Sequence, residues 1–184
     1  MDIWTKLGKH SFIETNQLWL RPFRFTDSHS FFEIARVRDN LSFNSPSIKT
    51  KEESDFLMVH TFMKSPLGNW AIEEKTSQTL IGAIRFEKID FYNKEIEISY
   101  FIHKKFCSQG YATKALKSIV ALAINKLQFK RLVIITHLEN TASQKVAQKA
   151  GFKKIKQYRG IDRYTHKTRE YFLFTLRKNG YYYE

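Results

Sequence analysis

"FCSQGYATKAL", residues 106–116, sets one glycine between a strand-like run and a segment whose apolar residues recur at helical spacing. The chain holds only seven glycines in 184 residues, so Gly110 at this junction asks for a reason. A strand ending near His103, a loop of small residues and a helix starting at Gly110 or Tyr111 would aim unpaired backbone N–H groups along the positive end of a helix dipole. Such an arrangement binds phosphate. The stretch lacks the GxxxxGK[ST] of a nucleotide-hydrolase loop and the GxGxxG of a dinucleotide fold, so neither ATP hydrolysis nor NAD binding is supported. On these residues alone, a glycine that only permits a tight turn explains the stretch equally well.

Working outward, apolar or small residues at 112, 115, 116, 119, 120, 123 and 127 predict a helix of about four turns from Tyr111. Before it come three extended runs, "NWAIEEK" (69–75), "TLIGAIRFEKI" (79–89) and "KEIEISYFIHK" (94–104), joined by short polar connections. They read as an antiparallel meander. In the third run Ile96, Ile98, Tyr100 and Ile102 share one face, and Glu95, Glu97, Ser99 and Phe101 share the other. After the helix, "KRLVIITHL" (130–138) reads as a buried strand, and "NTASQKVAQKAGF" (140–152) as a short helix stopped by Gly151. A helical link between two strands predicts a right-handed crossover that sets them parallel.

At the N-terminal side, "LWLRPF" (18–23) is a strand ended by Pro22, and "TDSHSFFEIARVR" (26–38) is a helix with Thr26 and Asp27 as capping candidates. "TKEESDFLMVHTFMK" (50–64) opens with a capping box of Thr50 and Glu53. "KKIKQYRGI" and "REYFLFTLR" close the chain as strands, and there are no internal repeats.

With 42% hydrophobic and 15% aromatic residues spread from end to end, residues 1–184 are expected to form one domain with a sizeable core. The N-terminus lacks the apolar core of a signal peptide, and the longest apolar run, "IVALAI" (119–124), is far too short to span a bilayer, so a cytoplasmic protein without membrane contact is expected. The single cysteine, Cys107, excludes an internal disulfide, and the six histidines show no metal-ligand spacing, so no metal is expected. A net charge of +13 points to an anionic ligand, an acidic partner or nucleic acid, though no nucleic-acid motif accompanies it. A general basic surface explains it too, and a homodimer is compatible with the sequence without being required by it.

"RFTDSHSFFEI", "TLIGAIRFEK", "EIEISYFIHKKFCSQGYATKAL" and "HLENTASQKVAQKAGFKKIKQY" together resemble the GNAT superfamily of acetyl-CoA-dependent N-acetyltransferases. The resemblance is to the branch of the ribosomal-protein N-terminal acetyltransferases (RimJ/RimL-like) and covers residues 12 to 177, with four degenerate motifs in order. It implies an α/β fold, with a mixed central sheet of about six or seven strands flanked by about four helices. It also implies acetyl-CoA as co-substrate and an amine acceptor, either a protein N-terminus or a small molecule such as a polyamine or antibiotic. A catalytically silent module that binds coenzyme or RNA is the alternative.

By the same resemblance, the backbone of Phe101, Ile102 and His103 pairs with the pantetheine arm. Ser108, Gln109, Gly110, Tyr111, Ala112 and Thr113 surround the pyrophosphate. The family pattern of Q or R, two residues, G, one residue, then G or A falls on Cys107, Gly110 and Ala112, with Cys107 departing at the first position and Ser108 standing where glycine is usual. A second pattern falls on Asn140, Ser143, Gly151 and Phe152, with Asn140 bonding the pantetheine amides. The tyrosine that many relatives use as general acid is replaced by Ala147, which leaves Ser143 or water for that role. As plain residues, Asn140 and Ser143 are equally good helix-cap and first-turn residues.

The implied reaction is attack of an amine on the thioester, with the oxyanion held by backbone N–H groups near Phe101 and Ile102. Glu97 is the candidate base, although a solvated sheet residue would look the same. An α-amino group, with a pKa near ~8, has about 300-fold more free amine at neutral pH than a lysine near ~10.4, so a modest base suits an N-terminal acceptor.

Overall fold

The alternation in the three central runs is realised as strands, and they organise the rest of the chain. A computed structural model describes residues 1–37, 48–162 and 165–178. The strands are β1 (Ile13–Glu14), β2 (Leu18–Arg21), β3 (Asn69–Glu74), β4 (Thr79–Asp90), β5 (Glu95–Ile102), β6 (Arg131–His137), β7 (Lys153–Ile161) and β8 (Thr168–Arg177). They form one eight-stranded sheet in the order β1-β2-β3-β4-β5-β6-β8-β7. Every adjacent pair is antiparallel except β5 and β6, which are parallel, as a crossover helix requires. The sheet has more strands than the sequence suggests, because β1 is a two-residue bridge formed only in pairing with β2.

Five α-helices lie among the described residues: α1 (Ile3–Lys9), α2 (Ser28–Ala35), α3 (Lys51–Met58), α4 (Tyr111–Ala121) and α5 (Thr141–Lys149). The capping box of α3 is present: Thr50 Oγ1 accepts from the Glu53 N–H at 3.1 Å, and Glu53 Oε2 accepts from the Thr50 N–H at 3.3 Å. α4 stops at Ala121 rather than near 127, and the chain continues as a π-helical turn over Leu122–Lys126, closed by a bond from the Leu127 N–H to the Leu122 carbonyl. α1 carries no sequence signal beyond Asp2, whose carboxylate caps it by accepting from the Thr5 N–H at 3.0 Å.

Asp27 does not cap α2. Its carboxylate is taken by Arg21, which donates Nη1 and Nη2 to its two oxygens at 2.8 and 2.7 Å and Nε to Glu73 at 2.5 Å. All three side chains are buried, so the pairing satisfies charges that water cannot reach. The expected end of this helix at Arg38 lies outside the described residues.

Two layers of core follow from the period of the strands. On one face Ile96, Ile98 and Ile102 pack with Leu7 of α1, Leu116 and Ile119 of α4 and Ala147 of α5. On the other, Phe101 packs against a cluster of Phe23, Phe31, Ile34, Met58 and Phe62, built from α2, α3 and the turn after it. Burying each such side chain contributes roughly 1.5–3 kcal/mol. Among the described residues no helix is long and apolar enough to cross a membrane.

Candidate active site

β5 and β6 run side by side for three residue pairs only, Glu95↔Arg131, Ile96↔Leu132 and Glu97↔Val133. Beyond them each strand follows its outer neighbour, β5 along β4 as far as Ile102↔Gly82, and β6 along β8 as far as His137↔Tyr171. The sheet therefore opens into a cleft, with Ser99 and Tyr100 on one wall, Thr136 and His137 on the other, and Asn140 and Ser143 across its end.

The strand edges give this cleft its polarity. The His103 N–H is spent on the Ile81 carbonyl at 2.7 Å, and alternation turns the Phe101 N–H toward β4 as well. The N–H groups of Tyr100 and Ile102 then face the opening, so of the three residues expected to meet the pantetheine through their backbone, Ile102 is the one oriented for it. Gly82 keeps β4 tight against this end of β5, since a Cβ there would lie 2.2 Å from the Phe101 carbonyl oxygen.

After a single 3₁₀ turn at Lys104–Phe106, the loop uses two left-handed residues, Ser108 (φ 63°) and Gly110 (φ 82°), to reach the start of α4. Gly110 occupies the N-cap without a side chain, and a Cβ built on it would meet nothing within 4 Å. The first-turn N–H groups of Tyr111, Ala112 and Thr113 have no intrahelical acceptor and look onto that open space. Gln109 turns back to the Lys105 carbonyl at 3.2 Å. The Cys107 thiol lies 3.8 Å from the Ile102 carbonyl, and burial pushes its pKa up, so it is a neutral group at the start of the loop.

Asn140 is the helix cap that its residue type suggests, and it also stands at the cleft. Its Oδ1 caps α5 by accepting from the Ser143 N–H at 3.1 Å, while its side chain also lines the cleft. Ser143 Oγ donates to the Tyr100 hydroxyl at 3.0 Å. The Thr136 hydroxyl, on the opposite wall, is buried with no hydrogen-bond partner among the described residues. An orphan hydroxyl, two inward N–H groups and a phosphate-sized space before a helix start fit the amide and pyrophosphate portions of coenzyme A. Tyr111 is half-buried against Phe106, and His103 accepts from the Lys105 N–H through Nδ1, so these two side chains hold the loop.

The Phe101 face forms the other approach to the cleft. Its floor is aromatic, with the rings of Phe31 and Phe62 6.4 and 6.3 Å from that of Phe101. A bulge in β4 at Glu87 aims that carboxylate at Arg85 Nε (2.7 Å) and Ser99 Oγ (3.1 Å). Glu97 lies on this face at the level where the strands part, and its charge, after burial, pushes the Tyr158 hydroxyl up. His137 and Asp162 pair at the mouth, 3.3 Å apart. Sequence reasoning missed Tyr100, Thr136, His137 and Asp162 as site residues, because nothing in a strand's alternation distinguishes a cleft wall from a core wall. Among the described residues no group of three His, Cys, Asp or Glu could hold a metal ion.

Residues 17–153 match the model of the acetyltransferase (GNAT) domain. The chain therefore belongs to the GNAT acetyltransferase family and is an acetyl-CoA-dependent N-acetyltransferase. It is 25% identical over 153 residues to the N-acetyltransferase YoaA of Bacillus subtilis, covering 79% of this chain and 86% of that protein. It is 33% identical over 73 residues to the ribosomal-protein-serine acetyltransferase of Escherichia coli, covering 40% and 41%. The fold superposes with a TM-score of 0.77, at 17% identity and over 90% of this chain and 97% of the other, on RimL, a ribosomal L7/L12 alpha-N-protein acetyltransferase in complex with coenzyme A.

Proposed function

We propose that the acceptor is the α-amine of a protein N-terminus. Acetyl-CoA supplies an acyl group already activated as a thioester. The chain's part is to hold it by the N–H groups of Tyr111, Ala112 and Thr113 at the phosphates, and by Asn140, Thr136 and the inward N–H groups of β5 along the arm. Glu97 draws the ammonium form of the acceptor to the point where the strands part.

The observation that carries the acceptor class is the make-up of the Phe101 face. Its floor is aromatic, and Glu87 and Asp162 are committed to Arg85 and His137. A polyamine or aminoglycoside, with several cationic centres, would be repelled by the +13 surface and find few carboxylates to offset that. An N-terminal peptide carries one cation and an uncharged backbone that suits an aromatic groove. The similarity to a ribosomal-protein-serine acetyltransferase and to an alpha-N-protein acetyltransferase supports the same class.

Thiol release from acetyl-CoA, measured against peptides with different N-terminal residues, free lysine, spermidine and an aminoglycoside, tests this. Peptides are expected to give the highest kcat/KM. Faster turnover of spermidine or the aminoglycoside would overturn the acceptor class.

A further inference from the structure

Two ionisable side chains with no role in the scheme so far meet at the mouth of the cleft. His137, the last residue of β6, sets Nε2 3.3 Å from Asp162 Oδ2, and each residue is more than nine-tenths buried. Asp162 is itself fixed, its Oδ1 accepting from the Thr165 N–H at 2.6 Å and the Thr165 hydroxyl at 2.8 Å. The Tyr171 ring backs the imidazole with its centroid 4.6 Å away. A surface histidine has no such mounting.

The register of the sheet says what the mounting is for. The last β5–β6 pair is Glu97↔Val133, so His137 stands four residues past the parting on β6, as Phe101 does on β5. Alternation puts Glu97, Phe101 and His137 on the same face, the one from which the acceptor enters. His137 also lines the cleft. We propose that His137 is the group that takes the proton from the attacking amine, with Asp162 positioning its imidazole. This inference rests on the N-terminal acceptor reading above.

The proton balance is simple. The ammonium first gives one proton to solvent, and as the nitrogen of the resulting free amine bonds to the acyl carbon its surplus proton passes to the imidazole. The electron pair of the broken C–S bond leaves with sulfur, and the imidazolium returns its proton to that thiolate or to solvent. The groups around the ring are Asp162 just after β7, Arg169 and Tyr171 from β8, and Glu139 from the loop after β6, with Tyr158 of β7 behind Tyr171 and Glu97 beyond Tyr158. Burial lowers the imidazole pKa and Arg169 adds to this, while Asp162 and Glu139 oppose it, so the proton-accepting neutral form prevails at neutral pH.

An imidazole base and a carboxylate base leave different marks. The acid limb of kcat/KM would lie in the range of a burial-lowered imidazole if His137 is the base, and not in the carboxylate range. With the best peptide acceptor, His137→Ala is expected to lose about 10²–10³-fold in kcat/KM at pH 7, keep its acetyl-CoA affinity and regain part of its rate when imidazole is added. Asp162→Asn should move the acid limb to lower pH, because the charge that raises the imidazole pKa is gone, and should also slow turnover. A His137→Ala protein within threefold of wild type over pH 6–9 would overturn the proposal, as would a wild-type limb in the carboxylate range. If His137→Ala does not fold, an acid limb unmoved in Asp162→Asn overturns it instead. Absence of turnover by the unsubstituted protein on every peptide would overturn the acceptor reading, and this inference with it.

Discussion

Tyr100 on β5 and Ser143 in the first turn of α5 are bonded twice across the end of the cleft. The Tyr100 hydroxyl donates to the Ser143 carbonyl at 2.9 Å, and Ser143 Oγ donates back to that hydroxyl at 3.0 Å. Burial pushes the Tyr100 pKa well up. A hydroxyl that weak cannot readily protonate a thiolate whose acid has a pKa near ~8.5, so the pair acts as a tie that sets the width of the cleft. Tyr100→Phe is expected to weaken acetyl-CoA binding roughly 5- to 30-fold, the scale of one or two lost hydrogen bonds, with kcat little changed. Calorimetry for Kd beside steady-state kcat separates the two. A fall in kcat at constant Kd would make the pair a proton donor.

Gly110→Val puts a β-branched side chain at a left-handed N-cap, in the space where phosphate would sit. Wild type should gain about 2.7 kcal/mol of stability from acetyl-CoA at a hundredfold excess over Kd, seen as a rise in Tm. The variant should lose most of that rise. A variant that melts lower without ligand yet keeps the full rise would reduce the loop to a turn.

Glu97→Gln removes charge and keeps shape at the parting of β5 and β6. With His137 taking the proton, acceptor KM should rise several-fold while the acid limb of kcat/KM stays in place. A fall in kcat of about 10²-fold, recovering as pH rises, would return the base to Glu97.

Arg21→Met leaves Asp27 and Glu73 buried without their shared cation. A loss of about 3–5 kcal/mol is expected, visible in the midpoint of urea unfolding. A loss below about 1 kcal/mol would mean that water reaches the site.

Glu74, the last residue of β3, accepts from the Ser77 N–H at 2.7 Å and the Thr76 N–H at 3.1 Å, and hydrogen bonds from the Ser77 side chain and from these N–H groups hold its pKa down to about 2. A carboxyl depressed in the folded state binds fewer protons there than in the unfolded chain, whose value lies near ~4.3. Its stabilisation is present above that value and drains away as the pH falls toward 2. Glu74→Gln should flatten stability against pH in that window. An unchanged slope would mean that the turn persists after unfolding.

The sequence carried the fold well because its signals were local. Alternation in 94–104, the Thr50–Glu53 box and the small-residue turn before Tyr111 each constrain a few neighbouring residues. The left-handed Gly110 at the start of α4 was legible for the same reason. The acceptor side was not, because His137 and Asp162 are brought together by the β6–β8–β7 pairing, and no spacing along the chain encodes that. Asp27 shows the same limit in reverse: it looks like a helix cap until Arg21 and Glu73, far apart in the chain, arrive around it.

The parting of β5 from β6 has a consequence for handling the protein. Past Glu97 and Val133, β5 and β6 are paired with each other no further among the described residues, and strand edges that part in this way invite an extended chain that can reach them. In a crowded or partly unfolded sample, the trespasser would be a stray segment of another molecule. Coenzyme A kept in the buffer would occupy the gap first, so its benefit on storage should show as lower turbidity over days.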